Sequence, residues 1–388
     1  MASMLTENIS RRSFAALAAA GVAGLGLGAR AFAAESAKKD AGAKSAKAAS
    51  SMADGKASAA KDGATRTVTD CAGRTVEVPA QVNRVAELHP QAGQIVVRLA
   101  GADKLVCVDT VFSKAYLADS GTSSQNFDEQ TLETLKALPV TNVFMKGADK
   151  EALVSYAPDV IFTLDGDGGA DELQSTINIP VVCLAKSPVD KVLEAFKVAG
   201  EVLNNEADAQ AMCDWWDVTS QRIADDVANL AADERPTVMY CGKNGEPLQV
   251  PGKDTIFARN IVDAGCTNVT DELSDTGNES IDVSLEQIIG WDPDYIVCAT
   301  QNVVDAIMSN PDWASLKAVQ NGTVVAPLRY AGFDGWFSVL GTDWLNAFVT
   351  RGGDAAYVDQ LHQDMQDFFQ IFYGTQLTND QLQAVAAN

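Results

Sequence analysis

The chain has 388 residues, 47% of them hydrophobic, which is enough for two domains with separate cores. Its formal charge of −23 is unevenly spread. Residues 1 to 62 hold nine Lys or Arg against five Asp or Glu, so the remainder carries 20 basic and 47 acidic residues, a net of −27. A body this acidic argues against nucleic-acid binding. Seven cysteines, an odd number without a C-x-x-C, and only two histidines, His89 and His362, argue against a disulfide framework or a zinc site.

In chain order, Ser10-Arg11-Arg12-Ser13-Phe14 precedes an Ala- and Gly-rich apolar stretch over 15–28, and Ala31-Phe32-Ala33 has the small-x-small pattern of a signal-peptidase site. The paired arginines resemble a twin-arginine export signal, so residues 1–33 are expected to send the chain to the periplasm or the outer face of the cytoplasmic membrane. No Cys follows the apolar stretch, so a lipoprotein anchor is not expected. Residues 34–64 are rich in Ala, Lys, Ser and Gly, with no aromatic residue, and read as a flexible spacer.

Residues 65–188 and 234–388 then look like two versions of one α/β lobe, separated by a helical region over 189–233. Each half opens on a strand (Val85 to Leu88; Thr237 to Tyr240). Helical sequence ending in Ala-Gly follows (Ala100-Gly101; Ala264-Gly265), then a second strand. Glu151 to Phe162, EALVSYAPDVIF, matches Glu286 to Val297, EQIIGWDPDYIV: an initial Glu, an apolar helical stretch, Pro-Asp and a short strand. A further helix and a last apolar strand complete each half (Ile179 to Leu184; Thr323 to Pro327). Strands alternating with helices predict two Rossmann-like lobes with parallel sheets. Between them, Met212, Trp215, Trp216, Ile223, Val227 and Leu230 fall on one face of a helix predicted over Glu206 to Leu230, about 37 Å long. Asp208, Asp214, Asp217, Arg222, Asp225 and Asp226 take its other directions.

Ligands of open parallel sheets bind beyond the carboxyl ends of the strands. That rule selects His89 and Gln91, Asp109 and Tyr116 in the first lobe, and Tyr240, Lys243, Gln301, Arg329, Tyr330 and Trp336 in the second. Arg329, Tyr330 and Trp336 put a cation and aromatics on one loop, suited to a flat or conjugated ligand. A Gly- and Asp-rich turn over Asp165 to Asp171 lacks the spacing of a calcium loop. No Walker loop, GxSxG or HExxH occurs, and no catalytic residue is proposed.

Arg66 to Leu88, RTVTDCAGRTVEVPAQVNRVAEL, resembles the opening of the solute-binding proteins of ABC importers in the iron-chelate and cobalamin class. The paired Pro-Asp segments are similar to a motif repeated in that family, and Asn310-Pro311-Asp312-Trp313 through Ala326 resembles its late W-x-x-L-x-A-V-x-x-G-x-V stretch. The resemblance implies a non-enzymatic monomer without a cofactor of its own. It further implies two lobes bridged by one long helix, and delivery of a small-molecule metal complex to a permease dimer with a cytoplasmic ATPase. Glu151 and Glu286 are then expected to dock arginines of the permease. A ferric siderophore or haem is the favoured ligand, with His89 and Tyr240 as direct metal ligands if haem binds. A corrinoid or a molybdate-type oxyanion is the alternative. An exported chelatase or cofactor-dependent oxidoreductase is the competing reading of a different class.

Overall fold

The structure is a computed structural model and describes residues 64–118, 126–142, 147–164, 169–185, 189–274, 277, 280–326 and 335–386. The predicted export segment, nearly all of the spacer, Asp165, Asp167, Arg329 and Tyr330 lie outside the described residues.

The first lobe begins with an antiparallel hairpin, β1 (Thr65–Thr69) and β2 (Thr75–Pro79). Asp70 and Arg74 close its turn: the Asp70 carboxylate accepts from the Arg74 amide and guanidinium, and from the Cys183 amide of the main sheet. The main sheet comprises β3 (Val85–Glu87), β4 (Leu105–Asp109), β5 (Val140–Thr141), β6 (Val160–Leu164) and β7 (Val181–Leu184). All pairings are parallel, in the order β5-β4-β3-β6-β7. Every residue of β3, β6 and β7 is buried, as expected of strands covered by helices on both faces.

In the second lobe, β8 (Thr237–Cys241), β10 (Thr267–Asn268), β12 (Tyr295–Cys298) and β13 (Val324–Val325) form a parallel sheet ordered β10-β8-β12-β13. In each main sheet the first strand in sequence (β3; β8) lies between the following strand of that sheet on one side (β4; β10) and the strand after Pro-Asp on the other (β6; β12). The last strand (β7; β13) lies beyond the latter, while β5 has no counterpart among the described residues. The repeat read in the sequence is therefore a repeat of topology. A small antiparallel pair, β9 (Gln249–Val250) and β11 (Ile281–Asp282), sits apart from the main sheet.

Eight helices matter for the site: α1 (Pro90–Ala100), α2 (Lys150–Tyr156), α3 (Val189–Leu203), α4 (Glu206–Val227), α5 (Ile256–Asp263), α6 (Leu285–Trp291), α7 (Ser338–Trp344) and α8 (Ala355–Tyr373). The helix α4 is the predicted connector, three residues shorter at its end than the sequence suggests. Met212, Trp215, Trp216, Ile223 and Val227 are buried along it, as their spacing predicts. It crosses α3 closely because Gly200 has no side chain: a Cβ there would lie 2.5 Å from that of Ala209.

Three residues expected to face outward on α4 instead make bridges. Asp208 pairs with Arg98 of α1 at 2.9 Å, which ties the connector to the first lobe. Arg222 pairs with Asp343 of α7 and Asp364 of α8, both at 2.6 Å. Asp226 pairs with Arg351 and accepts from Asn346 and Tyr357. One strut thus carries ionic ties to both lobes, at its two ends.

A second tie is absent from the sequence reading. The last turn of α8 reaches back to the first lobe, where the Tyr373 hydroxyl donates to Gln94 of α1 at 2.9 Å and accepts from the Trp336 indole at 3.1 Å. The Arg98 guanidinium also donates to the Ile371 carbonyl. Aromatic side chains from both lobes and the connector, including Phe127, Phe196, Trp216, Trp336, Phe372 and Tyr373, form one continuous core. Among the described residues no helix is long and apolar enough to cross a membrane.

Candidate functional site

The first-lobe candidates gather at the carboxyl ends of β3 and β4. His89 ends β3's loop and caps α1, its Nδ1 accepting from the Gln91 amide at 3.2 Å. Gln91 is buried, and its side-chain amide donates to the Ala185 carbonyl at the end of β7. Asp109 is fully buried rather than directed to a ligand. Its Oδ1 accepts from the amides of Val111 and Phe112, holding the turn after β4.

Beneath these loops lies Glu87, which the sequence reading passed over as a strand residue. It is fully buried, and its two oxygens accept from the amides of His89 at 2.9 Å and Asp109 at 2.6 Å. One carboxyl group therefore clamps both strand-end turns. Burial raises its pKa well above the ordinary range, and the neighbouring Asp109 adds to the effect. Burial raises Asp109 as well, against the lowering effect of the Val111 and Phe112 amides. The signal available in the sequence was an acidic residue inside an otherwise apolar strand, VAEL.

The second-lobe candidates divide. Tyr240 is buried, with its ring stacked on Phe257 at 4.9 Å, and the Lys243 ammonium lies 4.6 Å from the centre of the same Phe257 ring. Gln301 is exposed at the start of its helix and donates to Asp305, one turn on. Trp336 is 2% exposed and belongs to the inter-lobe core, not to an open surface. Tyr116 is likewise packed against Phe112 and Phe127. The structure thus brings His89, Gln91 and Asp109 together, sets Tyr240 with Lys243, and moves Trp336 and Tyr116 into packing roles. Among the described residues no group of three or more His, Cys, Asp or Glu could hold a metal ion.

A groove of about 600 Å³ lies elsewhere, beside the connector, with Trp216, Arg235, Arg259, Asn260 and Ser338 in its walls. The two Glu of the repeated motif occupy equivalent places: both are exposed second residues of their helices, after the N-caps Asp149 and Ser284.

Comparison with known proteins decides what this pair of lobes is. The sequence profile described as periplasmic binding protein matches residues 85–326. The chain belongs to that family. Among its relatives is the molybdate-binding protein MolA of Haemophilus influenzae, 23% identical over 349 residues, covering 82% of this chain and 93% of MolA. The solved structure of MolA bound to molybdate superposes with a TM-score of 0.66 at 22% identity, over 81% of this chain and 99% of that one. An ABC transporter solute-binding protein from Sulfurospirillum deleyianum gives a TM-score of 0.68 at 21% identity, over 82% and 98% of the two chains. This periplasmic binding protein is accordingly a substrate-binding component and not an enzyme, of a family exported to the periplasm, and proteins similar to it are components of ABC transporters.

Proposed function

We propose that this binding protein captures a small oxyanion of the molybdate type and delivers it to its importer. The observation that carries the reading is the engagement of Tyr240 and Trp336 in packing. These are aromatic faces that a flat haem or corrinoid would use. The described strand ends instead offer compact polar groups, the His89 ring at the start of α1 and the Lys243 ammonium. A helix N-terminus and a lysine ammonium each suit a compact anion. The extended match to a molybdate-binding relative supports the same choice.

A ferric chelate, the ligand favoured from the sequence, is the second reading, supported by His89 at the end of the first strand's loop. The permease-docking role of Glu151 and Glu286 belongs to this proposal as well, supported by their matched exposed positions. Isothermal titration of the dialysed protein tests it with molybdate, tungstate, sulfate, a ferric hydroxamate and haemin. Saturable heat with molybdate or tungstate, and none with the iron compounds, is expected. Binding of an iron compound with no response to either oxyanion overturns the proposal in favour of the second reading.

A further inference from the structure

The helices α2 and α6 are the same device built twice. Each is seven residues long, is capped by a side chain that accepts from the amide three residues on (Asp149 from Ala152; Ser284 from Gln287), and ends at a left-handed residue, Ala157 or Asp292. Each is followed by Pro-Asp, whose carboxylate accepts from backbone amides at the start of the lobe's first strand: Asp159 from Asn83 and Arg84, Asp294 from Thr237. Both helices are therefore fixed on their sheets in the same way. The residues that anchor them, Leu153 and Ile288, are fully buried.

On the outer side, the equivalence extends to a residue type that has no reason to be outside. Val154 and Ile289 occupy the same helical position, and each is 42% exposed. Each stands three residues after its Glu, about one turn along the same side of the helix. An isolated exposed aliphatic side chain is ordinary. Two at matched positions, each beside a matched carboxylate, make a repeated surface unit.

We infer that Val154 and Ile289 are apolar contacts for the importer's permease, each forming a composite patch with Glu151 or Glu286. This rests on the docking role proposed above for the two glutamates. A carboxylate on an open rim gains little from a cation, because water screens the pair. An aliphatic neighbour that seats against the partner excludes that water and strengthens the contact. The partner this fits presents, twice and related by a two-fold axis, a basic side chain beside a shallow apolar seat.

The test uses the full chain in its producing cells, with p-benzoylphenylalanine placed at position 154, at 289, at 150 beside Glu151, or at the exposed control position 218 on α4. After irradiation, partners are identified by mass spectrometry. Positions 154 and 289 are expected to capture the same multi-spanning membrane polypeptide, and position 218 is not. With Ile289→Asp present, capture from 154 should fall about tenfold, and Val154→Asp should do the same to capture from 289. Capture of that polypeptide from 150 but not from 154 or 289 overturns the apolar contacts and leaves the glutamate docking standing. Absence of a membrane partner at 150, 154 and 289 alike removes the docking reading and this inference together.

Discussion

The Oδ2 atom of Asp294 accepts two hydrogen bonds from Thr237, one from its amide at 2.9 Å and one from its hydroxyl at 2.7 Å. The Thr237 hydroxyl also lies 2.9 Å from the Asp294 amide, so the two residues lock the start of β8 to the start of β12. Burial alone would raise the Asp294 carboxyl, but the Thr237 groups and Lys317 outweigh it and hold it below the ordinary range. A depressed carboxyl contributes stability that is present above its unfolded value, about pH 3.9, and is lost as pH falls through the folded value. Asp294→Ala should therefore cost about 1–2 kcal/mol at pH 7. The gap between variant and wild type should close in urea unfolding curves taken progressively below pH 4. A gap independent of pH would show that the carboxylate's charge plays no part.

Arg222 lies between two acids, Asp343 and Asp364, and is the bridge from the connector to the second lobe's last helices. Burial, opposed by Arg222 and reinforced by Asp364, pushes Asp343 up to about 7. Between its unfolded value near 4 and that point, the folded chain binds more protons than the unfolded one, so this group's contribution to stability falls as pH rises. Asp343→Asn, which mimics the protonated acid, should flatten the decline in stability between pH 5 and 8. Arg222→Ala leaves two buried carboxyls without their cation and should cost about 3 kcal/mol at pH 7. Guanidinium unfolding at four pH values across that range measures both.

The positions that the sequence made legible are those governed by local periodicity or by repetition. The buried face of α4 followed from spacing alone, and the two Pro-Asp segments announced equivalent strands because the same local geometry is needed twice. Ties between distant elements carry no such pattern. Nothing around Arg222 names Asp343 or Asp364, more than a hundred residues away, and Asp226 gave no sign of Arg351. Asp109 and Trp336 were placed by the strand-end rule in loops that ligands use. The rule locates the backbone but does not say whether a side chain turns outward to the ligand or inward to cap and pack.

Trp336 and Tyr373 make that distinction measurable. The indole donates to the Tyr373 hydroxyl, which donates to Gln94 of the opposite lobe. Tyr373→Phe removes the link and leaves the indole N–H and the Gln94 carbonyl without it, at a cost of about 1–3 kcal/mol. Trp336→Ala also opens a cavity in the inter-lobe core and should cost about 3–5 kcal/mol. Thermal unfolding should register both losses. Ligand affinity of the folded Tyr373→Phe protein should stay within about threefold of wild type, since the hydroxyl is buried. A large affinity loss at unchanged melting temperature would return this pair to the binding surface.

Lys243 separates the ligand readings most directly. Its ammonium, two residues beyond β8, stands over the ring of Phe257, which is itself stacked on Tyr240. A ring face attracts the ammonium through its quadrupole and fixes where the charge stands. With a dianionic oxyanion as ligand, Lys243→Ala should weaken binding by about tenfold, equivalent to about 1.4 kcal/mol. Lys243→Arg should recover most of it. The loss should shrink as salt is raised, because a partly exposed charge pair is screened. Titrations of molybdate into the three proteins at low and high ionic strength check the magnitude and its salt dependence together. Equal affinities in all three would remove Lys243 from the site and, with it, the main described cation on which the oxyanion reading relies.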